Sequence, residues 1–145
     1  MYFLKKTMPR PFAGFVIAMT AALGANVASA APPASLANTT WTMQINRDIV
    51  QLVITSQSGP GAPGASRCRV INGTFDVASI RGWYCTDTGQ FQFLHKNSGN
   101  ANTVRVFSGS VSDDVPGETL FMAGTVSVHD ANFGDYGEYN FSATN

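Results

Sequence analysis

Asp87-Thr88-Gly89-Gln90-Phe91-Gln92-Phe93-Leu94-His95-Lys96 is the stretch on which the fold turns. Gly89 can take the positive φ of a hairpin turn at no steric cost. After it, Phe91, Phe93 and His95 alternate with Gln92, Leu94 and Lys96. Such a period of two belongs to a strand whose successive side chains point to opposite faces.

The same character extends in both directions. Upstream, Trp41, Met43 and Ile45 alternate with Thr42 and Gln44 within Thr40 to Asn46, and strand-like runs recur at Arg67 to Phe75 and Ser79 to Thr86. Ile49 to Thr55 is more evenly apolar, as expected of a strand covered on both faces or shared with a neighbouring subunit. Between these, Ser56 to Ser66 holds Gly59, Pro60, Gly61, Pro63 and Gly64. That composition resists sheet pairing and reads as a long mobile loop. Downstream come Thr103 to Ser112, Thr119 to His129 and Tyr136 to Ala143, separated by turn residues.

About eight strands with no amphipathic helical window between them point to an all-β fold, a single antiparallel up-and-down β-barrel. A β-sandwich is the alternative. Gly73, Gly82, Gly109 and Gly124 lie inside strand-like runs, where they permit the sharp bending of a narrow barrel. Cys68 and Cys85 are the only cysteines and are expected to form one disulfide.

Residues 1–30 read as a cleaved signal peptide. Lys5, Lys6 and Arg10 form a basic start, Phe12 to Leu23 an apolar stretch, and Ala28-Ser29-Ala30 the small-x-small pattern a signal peptidase needs. The apolar stretch is too short for a membrane span, and no later segment is long or apolar enough to be one. The leader implies a secreted or periplasmic location, where two cysteines normally pair. What remains is 115 residues, one domain: a flexible lead-in over 31–38 and the barrel over 39–145.

Without the leader, six basic residues stand against nine acidic ones. That balance argues against nucleic acid as a partner, because phosphate-backbone binding needs clustered Lys and Arg. His95 and His129 stand apart, and no Cys-x-x-Cys or His-x-x-x-His spacing exists, so neither a metal site nor a cofactor is expected. Nothing resembles a nucleophile elbow, a phosphate-binding loop or a metalloprotease helix, and the chain is not read as an enzyme.

The aromatic group Trp83, Tyr84, Phe91, Phe93 and Phe107 lies on neighbouring predicted strands and would line one end of the interior. An apolar pocket with a few polar fixers suits small-molecule recognition, and Arg81, Arg105, Gln92 and Ser108 are the nearby polar candidates. The competing reading is that the aromatics fill the core and the two arginines sit on a solvated outer face. Three functions follow: non-catalytic binding of a small, partly apolar ligand; a protein-binding module engaging an enzyme through Ser56 to Ser66 or the N-terminus; and a structural barrel forming a homo-oligomer through Ile49 to Ile54.

Leu36-Ala37-Asn38-Thr39-Thr40-Trp41 resembles the Leu-x-Gly-x-Trp opening of the first calycin strand, with Asn38 in place of Gly. Ile71-Asn72-Gly73-Thr74-Phe75 and Phe107-Ser108-Gly109-Ser110-Val111 are similar to the Leu-Thr-Gly-Thr-Tyr and Trp-Ser-Gly-Gln-Tyr strands of avidins. The chain thus resembles the avidin and streptavidin family within the calycin group that includes lipocalins. The resemblance implies a barrel with an internal cavity. It does not imply biotin, because the tryptophans of the avidin box are replaced by phenylalanines in this sequence. Small exported bacterial protease-inhibitor barrels are similar in size, leader, single disulfide and early Trp.

Overall fold

The computed structural model describes residues 31–59, 66–96, 99–100, 102–113 and 119–145. The expected signal peptide lies outside the described residues, as do positions 60–65 of the glycine-proline loop. Eight strands follow one another: β1 (Thr39–Ile45), β2 (Asp48–Gln57), β3 (Cys68–Phe75), β4 (Ala78–Cys85), β5 (Gln90–Lys96), β6 (Thr103–Asp113), β7 (Leu120–Asp130) and β8 (Gly134–Thr144). Each is antiparallel to the next, and β8 returns to β1 through Thr42↔Thr144 and Ile45↔Phe141, closing the barrel. Closure gives each strand two paired neighbours, with the β1–β8 seam running over four residue pairs.

Alternation along each strand separates inside from outside. Trp41 and Met43 of β1, Leu52 and Ile54 of β2, and Phe91, Phe93 and His95 of β5 are buried, while their immediate neighbours are mostly exposed. Ile49 is 75% exposed, so β2 is covered on its inner face only within this chain. Among the described residues no helix is long and apolar enough to cross a membrane.

Aromatic rings fill the middle of the barrel. Phe93 and Phe107 stack at 4.6 Å, Phe75 lies 5.0 Å from Phe107, and Phe141 meets Phe107 edge-on at 5.6 Å. Such a girth is reached by bringing backbones very close where Gly109 pairs with Gly124. A Cβ at Gly124 would lie 2.0 Å from the Ser108 carbonyl oxygen, so this crossing excludes every side chain larger than hydrogen.

One end of the barrel is plugged by the lead-in. Leu36 is fully buried in the core, contrary to the reading of residues 31–38 as a flexible lead-in. The physical reason is backbone anchoring: Leu36 N–H donates to Gln57 Oε1 (2.9 Å), Gln57 Nε2 donates to the Ala34 carbonyl (3.3 Å), and the Tyr84 hydroxyl donates to the Pro33 carbonyl (2.6 Å). Gln57 reaches these groups because the β2–β3 register shifts between Ile54 and Ser56. A bulge reverses the alternation beyond it and swings Gln57 over the barrel end. Below it, Trp41 Nε1 donates to Thr39 Oγ1 (2.8 Å), which in turn donates to the Leu36 carbonyl (2.6 Å). Asn38 sits at φ 61°, a conformation that Gly and Asn tolerate best.

Cys68 and Cys85 face each other directly across β3 and β4 at this plugged end and form the disulfide. A cross-link spanning 17 positions stabilises the fold by about 3 kcal/mol on the chain-entropy model.

Candidate functional site

The opposite end carries the β1–β2 turn at Asn46-Arg47, the β3–β4 turn at Asp76-Val77 and the β7–β8 turn. Asn46 and Asp76 adopt φ of 54° and 58°, which turns each hairpin within two residues. Here the inward positions change from apolar to charged.

Arg105 sits on β6 two residues before the buried Phe107 and therefore points the same way. It pairs with His95 on one side and Val128 on the other, all on the inner face. The expectation of a solvated outer face for Arg105 fails for this reason. It is half-buried, and among the described residues its side chain makes no hydrogen bond or ion pair. An inward guanidinium in that state stays accessible at the barrel mouth and is open to an anionic partner.

Two compartments meet at Arg105. One, of about 160 Å³, has walls from Ile45, Val50, Val126, Val128 and Tyr139. The other, of about 310 Å³, is lined by Asp76, Val77, Ala78 and His95. Asp48, Val50, Phe75 and Arg105 border both. Asp48 reaches this position because it pairs with Ile45 and shares the inward parity of Val50 and Leu52.

His95 is 4% exposed, with its ring edge-on to Phe75 at 4.9 Å. Its Nδ1 is buried without a hydrogen-bond partner, which costs about 1–3 kcal/mol. Burial pulls its pKa below the ordinary 6.5, the Arg105 charge pulls it further, and Asp76 partly opposes them. The neutral imidazole is the stable form near pH 7.

The residues anticipated as a ligand site divide into three groups. Phe91, Phe93 and Phe107 come together, but as central packing with 1%, 1% and 0% exposure. Tyr84 is equally buried and serves the plugged end, where desolvation raises its pKa to about 12. Trp83 and Arg81 point outward, Trp83 between Val70 and Gln92 and Arg81 between Asn72 and Leu94. Adjacent strand residues cannot share a face, so Tyr84 being inside forces Trp83 outside. Gln92 and Ser108 join Trp83 at a shallow outer depression. Of the named polar candidates, Arg105 alone lines the mouth.

Sequence reasoning passed over His95, Asp48, Asp76 and Tyr139 as site residues. The signal for His95 was present in its alternation with Phe91 and Phe93. Asp48 and Asp76 looked like ordinary turn residues, and only closure of the barrel brings both to one opening. Among the described residues no group of three or more His, Cys, Asp or Glu could hold a metal ion. His129 Nδ1 and Asp135 Oδ1 are in hydrogen-bond contact on the outside, where both side chains are well exposed and the contact carries little energetic weight.

No protein-family model, curated protein or solved structure matches this chain. The class it belongs to is therefore defined by its own geometry: a small closed antiparallel barrel, filled at the centre, plugged at the disulfide end and charged at the other.

Proposed function

We propose that this chain is an exported, non-catalytic binding barrel that holds a small, partly apolar ligand in its charged end. The observation that carries the reading is Arg105, an inward guanidinium with no counter-ion among the described residues, set beside a cavity of about 160 Å³ with apolar walls. Apolar enclosure with one polar anchor is the usual composition of a small-molecule site. Phe75, Phe93 and Phe107 occupy the depth at which a calyx would hold its ligand, so the ligand sits at the mouth. The leader-like start and the paired cysteines support export.

Native mass spectrometry of protein purified from its own host tests this. A retained small molecule that disappears in Val128→Phe, where a ring fills the cavity, is the expected result. A stoichiometric protein partner, or a bare oligomer, would replace this reading with the protein-binding or structural one. N-terminal sequencing of the same material should begin at Ala31.

A further inference from the structure

We infer that the mouth accepts the zwitterionic head of a small apolar α-amino acid, with its carboxylate on Arg105 and His95, its ammonium toward Asp48 and Asp76, and its side chain in the apolar compartment. This rests on the small-ligand reading above and names the ligand's chemistry.

Three observations lead to it. The first is size. The compartment walled by Ile45, Val50, Val126 and Val128 measures about 160 Å³. An apolar cavity of roughly 150 Å³ holds one benzene ring. A benzyl or branched aliphatic side chain is therefore of the right size to occupy it.

The second is charge. Arg105 and Asp48 border both compartments, and Asp76 borders one, yet none of the three side chains forms an ion pair among the described residues. A simple carboxylate drawn to Arg105 would meet two like charges at the rim. A simple amine drawn to the aspartates would meet the guanidinium. A molecule carrying both signs one carbon apart satisfies all three, because each charge finds its opposite across a small gap.

The third is the imidazole. His95 lines the second compartment, is almost wholly buried, and has a ring nitrogen without a partner. With the proton on Nε2 it becomes a second, neutral donor beside the charged Arg105 for the ligand's carboxylate, while the buried Nδ1 stays out of a ligand's reach. Asn46, from the β1–β2 turn, and Tyr139, from β8, are the other polar residues that line the apolar compartment.

The test is a titration of the full chain at neutral pH, followed by amide NMR, with L-phenylalanine, L-leucine, 3-phenylpropionate, phenethylamine and toluene. Phenylalanine or leucine should bind at least about tenfold tighter than either singly charged analogue, shifting the amides of Arg105, Val126 and Val128. Arg105→Met should weaken amino-acid binding by about tenfold, and Asp48→Asn should move the preference toward 3-phenylpropionate. Equal or tighter binding of 3-phenylpropionate or phenethylamine to the unaltered protein would overturn the inference. Toluene binding at the mouth without an amino-acid preference would overturn it while leaving the small-ligand reading in place. If none of the five binds, the inference goes, and a small molecule retained in native mass spectrometry would still uphold the small-ligand reading. The analogue series needs no variant, so a substitution that fails to fold does not blunt the comparison.

Discussion

The hydroxyl of Tyr84 donates a 2.6 Å hydrogen bond to the carbonyl of Pro33, joining positions 51 residues apart and fastening the lead-in across the plugged end of the barrel. Beside it, Leu36 has no exposed surface. The lead-in therefore belongs to the core. Leu36→Ala should cost about 3 kcal/mol in urea unfolding, and Tyr84→Phe about 1 kcal/mol. Losses below a few tenths for both would show that the segment is not docked in solution.

Alkali should find Tyr84 last. Its phenol is held un-ionised by burial, with a pKa raised from 10.0 to about 12. Because the folded value lies above the unfolded one, the contribution to stability is complete below about pH 10 and is lost as pH rises toward about 12. An absorbance titration should show a late phenolate phase, coincident with unfolding and missing in Tyr84→Phe.

Acid should act on His95. Its pKa is lowered by burial first and by Arg105 second, so below the ordinary 6.5 the unfolded chain takes up a proton that the folded one refuses. Stability contributed by the neutral ring is present above pH 6.5 and falls away as the pH drops from there toward the depressed folded value. His95→Phe keeps the contact with Phe75 and removes the unpartnered nitrogen. The variant should gain about 1 kcal/mol at neutral pH and lose that acid sensitivity, as read from melting temperature against pH.

Phe107 and Trp83 should behave oppositely. Phe107 is fully buried among rings, and Phe107→Ala should cost about 3–5 kcal/mol. Trp83 is 37% exposed on the outer face, and Trp83→Ala should cost about 1 kcal/mol or less while leaving any ligand affinity at the mouth unchanged. Comparable destabilisation by the two would contradict the assignment of faces.

Much of the barrel was legible because its cause is local. Trp41 and Met43, or Phe91 and Phe93, are two residues apart, and a strand puts such pairs on one side wherever it lies in the fold. Gly89 at φ 71° and Arg105 in step with Phe107 are of the same kind. The inward placement of Arg105 was open to the same parity once Phe107 is assigned to the core, yet the expectation put it on the outer face. Grouping Trp83 with Tyr84 ignored that same parity.

The amino-acid sequence by itself determined the strands, their number, their turns and the pairing of Cys68 with Cys85, because each depends on neighbours along the chain or on the only two thiols present. Tertiary structure alone decided what the ends of the barrel became. Gln57 holds the lead-in because a bulge between Ile54 and Ser56 reverses the alternation beyond it, a shift that periodicity cannot foresee. Asp48, Asp76, His95 and Arg105 share one opening because closure brings separate turns and strands to the same rim. Proximity across a closed sheet is set by register, and register is a property of the whole circuit of strands.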